Sequence, residues 1–116
     1  MEIYKGSIVE ESLEDNLILN HFIITGVHIT DDENVNERWH IYDVEVNKNQ
    51  IIELSKCIKS EKWYAHFWST NKDIIAVFRD KLFEFNHEDK ESWRDAVAYG
   101  ISIGIPEEQL DFLIKE

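Results

Sequence analysis

A chain of 116 residues with a single cysteine, Cys57, has room for one hydrophobic core, but it can form no internal disulfide and no multi-cysteine metal site. Its formal net charge of -12, from 24 acidic and 12 basic residues, sets up a field that repels phosphate backbones and argues against nucleic-acid binding. No apolar run reaches membrane-spanning length, and Met1-Glu2-Ile3-Tyr4-Lys5 lacks the basic flank and apolar stretch of a secretion signal, so residues 1–116 read as one cytoplasmic domain with no membrane contact.

Ile3 to Glu10 reads as a first strand. Ile3, Lys5, Ser7 and Val9 fall on one side and Tyr4, Gly6, Ile8 and Glu10 on the other. Neither side is cleanly apolar, which points to an edge position. An acidic connection follows, and Leu17 to Thr30 is rich in β-branched residues, so it reads as a long strand with a bend near Asn20 or Gly26. Asp31 to Glu37 is a polar loop. Its carboxylates lack the alternating oxygen ligands, central Gly and closing Glu of a calcium loop, and solvation accounts for them.

Arg38 to Val46 is another strand, with His40, Tyr42, Val44 and Val46 in phase and Trp39, Ile41, Asp43 and Glu45 opposite. Asn47 or Asn49 is suited to cap a helix over Gln50 to Lys59, whose Ile51, Leu54 and Ile58 recur at helical spacing. Cys57 beside that stripe reads as a small buried hydrophobe.

Lys62 to Phe85 is the stretch on which the rest packs. Trp63, Tyr64, Phe67 and Trp68 make residues 62 to 69 a strand, with Trp63, Ala65 and Phe67 on one face and Tyr64, His66 and Trp68 on the other. Ser69 to Asp73 carries turn chemistry. Ile74 to Phe78 is a continuous apolar run, the pattern of an interior strand, and Leu82 to Phe85 returns after a short polar turn. The product is a three-stranded meander. It is also the one neutral stretch: residues 61 to 83 carry three acids and four bases.

Asp89 is placed to cap a second helix with the apolar stripe Trp93, Ala96, Val97, Gly100 and Ile101, and Gly104 is placed to stop it. Pro106 suits the start of a short last helix with Leu110 and Leu113 facing inward. The expected fold class is α+β: a mainly antiparallel sheet of five to six strands with two main helices on one face, in the order βββα-βββα, and a short C-terminal helix. A strand ending in Asn precedes each helix, at Val46-Asn47 and at Phe85-Asn86, a hint of internal duplication.

The candidate chemistry is thin. There is no Gly-x-Ser-x-Gly elbow, no Gly-rich phosphate loop and no His-x-x-x-His pair, so no catalytic, metal or cofactor site is assigned. His40 and His66 each have a tyrosine two residues away on the same strand face. If their strands are neighbours, His40, Tyr42, Tyr64, His66 and Trp68 line one patch, where an imidazole beside phenol donors would serve proton transfer or recognition of a small polar ligand. Their alternative role is as cover for a helix. Four tryptophans are also enough to supply both a core and an exposed anchor, so exposure of Trp39 or Trp68 would favour protein or peptide binding.

Lys62-Trp63-Tyr64-Ala65-His66-Phe67-Trp68 and the segment from Tyr99 to Phe112 resemble a family of small uncharacterised bacterial and archaeal proteins. The resemblance spans nearly the full length. It implies a compact cytoplasmic domain, no known activity and no transferable site residue. The leading expectation is a non-catalytic protein- or peptide-binding module, with a protein partner or a homodimer. A small-molecule binder or enzyme using the His/Tyr patch, and an acidic regulator of a basic partner, are the alternatives.

Overall fold

Six runs rich in β-branched and aromatic residues become strands, and two amphipathic runs become helices. The computed structural model describes residues 2–114. In chain order it runs β1 (Tyr4–Val9), β2 (Ile23–Ile29), β3 (His40–Val46), α1 (Lys48–Ser55), β4 (Ala65–Trp68), β5 (Asp73–Phe78), β6 (Lys81–Asn86) and α2 (Arg94–Ser102), joined in places by 3-10 turns. The α+β class and the βββα-βββα order are those expected.

All six strands form one sheet in the order β2-β3-β1-β4-β5-β6, with every neighbouring pair antiparallel. The meander β4-β5-β6 stands as read. Its second turn is tight, because Asp80 takes a positive φ of 58° directly after Arg79. The first strand is not an edge. β1 lies in mid-sheet between β3 and β4, and the polar face that suggested an edge belongs to a strand with one buried side, Tyr4, Gly6 and Ile8, and one open side. The two halves also pair differently, 2-3-1 against 4-5-6, so the repeated strand-Asn-helix pattern has no counterpart in strand order.

The helices do not share a face. Strand alternation sends Ile75 and Val77 of β5 to one core, with Tyr4, Ile8, Val44, Val46, Phe67 and the α1 residues Ile51 and Leu54. Ile74, Ala76 and Phe78 go to a second core on the opposite face, with Phe85, Trp93, Ala96, Ile105, Leu110 and Phe112. A continuous apolar strand buried on both sides requires a cover on each. That is the physical reason the one-sided arrangement fails.

Several boundaries move for local reasons. Residues Asn16–His21 form a 3-10 turn in place of the start of a strand, and Asp15 caps it by accepting from the Leu17 amide at 3.0 Å. The turn buries Ile18 and Leu19 together. The expected bend falls at a β-bulge between Ile24 and Gly26. α1 begins two residues earlier than expected, behind a complete capping box of Asn47 and Gln50, and ends at Ser55. Ile58 is buried beyond it, bridging to Leu13. Before α2, Asp89 makes no side-chain cap, and Lys90–Trp93 is a 3-10 turn. Gly104 ends the helix region at φ 96°, as its sequence position suggested. After Pro106 the chain makes only a 3-10 turn, Glu107–Gln109, and of the two leucines expected inward Leu110 is buried while Leu113 is exposed.

Candidate functional site

The second core spans only half of its sheet face. α2 and the segment after it lie over β4, β5 and β6, and no residue of β1, β2 or β3 belongs to that core. On the same face the outer half presents Lys5, Ser7 and Val9 of β1 and Ile41, Asp43 and Glu45 of β3, none of them buried. The face therefore has a step in it, with a bare three-stranded floor beside a wall built by the C-terminal segment.

An open groove of about 830 Å³ runs along this step. Ser7 and Val9 form its floor, Trp39, Lys62 and Trp63 one end, and Pro106, Glu108, Gln109 and Asp111 the wall. Trp39 precedes β3 in the outward phase and is 41% exposed. The Trp63 ring stands 5.2 Å from it, centroid to centroid, at 60° between planes. Such tilted aromatic pairs are stable contacts that leave ring edges free for a third group.

Trp63 reaches that position because β4 starts later than the sequence suggests. Lys62 takes a φ of 66°, and its amide donates to the Ile103 carbonyl at 3.2 Å. Its aliphatic stem lies against Gly104, where an added Cβ would meet Lys62 Cγ at 3.3 Å. This left-handed turn carries Trp63 away from the face of Ala65 and Phe67 to which alternation would have assigned it.

The five residues expected in one patch lie in two places. His40 and Tyr42 share their face with Val44 and Val46, on the α1 side. Tyr64, His66 and Trp68 lie on the α2 side. The sheet itself separates the two sets, because the register carries the face of Tyr42 and Ile8 across Gly6 to Phe67 and Ala65, which leaves Tyr64, His66 and Trp68 on the other side. The single His/Tyr patch does not form.

Each set has its own bonding. His40 Nδ1 pairs with Glu11 Oε2 at 2.7 Å, and Tyr42 donates to Glu10 Oε1 at 2.8 Å. The hydrogen bond to Glu11 raises the His40 pKa above the ordinary imidazole value against a smaller opposing effect of burial. For Glu11 burial works against ionisation, but the hydrogen bonds from the side chain and amide of His40 outweigh it and hold the carboxyl below its ordinary range. The bond to Glu10, with burial, pushes the Tyr42 phenol up.

On the other side Tyr64, His66 and Trp68 form a ladder with centroids 6.2 and 5.6 Å apart. The C-terminal segment closes over it. Tyr64 donates to the Gln109 carbonyl, and His66 Nε2 donates to the Leu113 carbonyl at 2.7 Å. A carbonyl only accepts, so this ring carries its proton on Nε2. Phe112 is fully buried and sets its edge against Tyr64 and His66 at 5.8 and 5.7 Å. Burial, with the nearby Asp111 carboxylate, raises the Tyr64 phenol. Both patch tyrosines whose pKa is shifted are thus hydrogen-bond donors at neutral pH.

Sequence reasoning named Trp39 and Trp68 as anchors to watch and placed Trp63 on the strand face of Ala65 and Phe67. The missing signal was the Trp39–Trp63 contact, which joins residues 24 positions apart through a turn at a non-glycine residue. Among the described residues no group of three or more His, Cys, Asp or Glu is placed to hold a metal, and no helix is long and apolar enough to cross a membrane. No protein-family model, no curated protein and no solved structure matches the chain.

Proposed function

We propose that the protein is a non-catalytic binding module that takes an extended peptide segment of a partner protein in the stepped groove. The observation that carries this reading is the exposed Trp39 ring held against Trp63 at the groove's end. Tryptophan, with tyrosine and arginine, is enriched among interface anchors, because it supplies large apolar area with a polar N–H and few rotatable bonds. The rest of the lining fits an extended chain. Val9, Pro106 and the aromatic rings offer apolar contact, while Glu108 and Asp111 on the wall offer carboxylates against one cation, Lys62. Within a chain of net charge -12 this favours a segment with an apolar anchor and neighbouring Lys or Arg.

Selection from a random peptide display library on the immobilised protein tests the reading. Enriched peptides are expected to pair an aromatic, Leu or Pro with basic residues and to bind less tightly as salt rises. Trp39→Ala is expected to cost them about 2 kcal/mol or more of binding, the range of an interface hot spot. No enrichment, or enriched peptides that bind Trp39→Ala as well as the parent, would contradict it.

A further inference from the structure

The stepped groove does not stop at Ser7. A second hollow of about 280 Å³ shares that residue and continues along β1, with Gly6 and Lys5 in its floor, Asp43 and Glu45 of β3 on one side and Trp68 of β4 on the other. Trp68 is half-buried and stands opposite Lys5 in the register of β1 with β4. It therefore flanks the bare half of the sheet face at one end, as Trp39 does at the other.

The registers set the distance between these two tryptophans. Trp68 pairs with Lys5, Ile41 pairs with Val9, and Trp39 comes two residues before Ile41 in the same phase. The path from Lys5 to Val9 and then from Ile41 to Trp39 is roughly 20 Å at about 3.3 Å per residue, and an extended chain covers it in about six residues. Side chains alternate along such a chain, so an even spacing turns both contacts to the floor and an odd one turns one of them to solvent.

The charge around Trp68 selects the second side chain. Asp43 and Glu45 bring two carboxylates against the one ammonium of Lys5. Asp43 accepts from the Ser7 hydroxyl at 2.7 Å, a neutral donor that leaves its charge uncompensated, and among the described residues Glu45 enters no salt bridge. An indole beside such carboxylates suits a Lys or Arg side chain, whose stem lies on the ring while its cation reaches the acids. On the peptide-binding reading of the groove, on which this rests, we infer that the peptide is held at two points about six residues apart: an apolar anchor at Trp39 and Trp63, and a basic residue between Trp68 and the carboxylates of Asp43 and Glu45.

The test is selection from a random peptide display library long enough to span both points, followed by fluorescence anisotropy of the recovered peptides with blocked termini. Peptides recovered on the wild-type chain are expected to carry Lys or Arg about six positions from the apolar anchor. Replacing that residue by Gln, or inserting one Ser between it and the anchor, is expected to weaken binding by about fivefold. Neither change should matter to a protein carrying both Asp43→Asn and Glu45→Gln. Circular dichroism checks that this variant is folded, and Glu45→Gln alone stands in if it is not. Peptides that lose binding to Trp39→Ala yet tolerate both changes on the wild type would overturn the second contact and leave the groove reading in place, and so would enrichment of an apolar or acidic residue at that position. A library that yields no binder would contradict both.

Discussion

The ring of Phe67 fills the volume that a side chain on Gly6 would need. A Cβ on Gly6 would lie 2.4 Å from Phe67 Cδ1 and 2.6 Å from the His66 carbonyl oxygen. The same two residues are partners in the two-residue register between β1 and β4, the joint at which the two halves of the sheet meet.

Gly6→Ala therefore forces either β1 or the Phe67 ring to move, and neither has room: Phe67 is fully buried and the carbonyl belongs to the backbone. The expected loss is about 3 kcal/mol, at the upper end of overpacking costs, read as a shift of the urea midpoint. Gly100→Ala is the control. Its Cβ would meet the end of the Leu110 side chain, Cδ2 at 2.7 Å and Cδ1 at 2.9 Å, and no backbone atom among its nearest contacts, and alanine gains about 1 kcal/mol over glycine in a helix interior, so a smaller loss than that of Gly6→Ala is expected. Equal losses for the two variants would contradict this reading.

Phe112 is the pin of the C-terminal segment. Its ring contacts Tyr64, His66, Phe85 and Trp93, and its backbone holds φ 45° to put it there. Phe112→Ala is expected to cost about 3–5 kcal/mol by equilibrium denaturation, a large part of a small domain's stability. Amide exchange at Leu110, whose N–H donates to the Glu107 carbonyl at 2.9 Å, should rise with it. Unchanged exchange there would mean that the segment is held by something other than this ring.

His40 and Glu11 make stability depend on pH in a defined direction. The His40 pKa in the fold lies above its ordinary 6.5, so the fold favours the protonated ring. Its contribution is complete below the ordinary value and is lost as pH rises through the higher folded one. The wild-type urea midpoint should accordingly fall relative to that of His40→Gln as pH rises above 6.5 through the raised folded value. Parallel curves for the two proteins would refute the coupling.

Asn47 closes the start of α1 by accepting from the Gln50 amide at 2.9 Å, while Gln50 Oε1 accepts from the Asn47 amide at 2.9 Å. Removing the cap by Asn47→Ala is expected to cost about 1 kcal/mol. Asn47→Asp should retain most of it. A loss equal to that of alanine in the aspartate variant would show that the cap is not the source.

The parts of this fold legible in the sequence are those fixed by local chemistry. Ile74 to Phe78, buried on both faces, announced an interior strand by its continuous apolar run, Asn47 was one of the two asparagines marking a helix start, and Gly104 marked a helix stop. What was not legible depends on partners distant in the chain. Lys5 and Ser7 mark an open face and not an edge, which only the insertion of β1 between β3 and β4 reveals. The registers of β1 with β3 and with β4 put His40 and Tyr42 on the opposite face from Tyr64, His66 and Trp68, and phase within each strand carries no information about register between strands. Trp63 escaped because a left-handed Lys62 is not signalled by residue type.

The claim that the Trp39–Trp63 end of the groove receives a peptide is tested most directly by the four indole N–H resonances in a ¹H–¹⁵N spectrum, recorded as a selected peptide is added. Trp39 and Trp63 should shift with the peptide, while Trp93, whose Nε1 donates to the Asn86 carbonyl at 3.0 Å inside the second core, should stay in place. Saturable binding that leaves the Trp39 and Trp63 resonances unmoved would contradict the account.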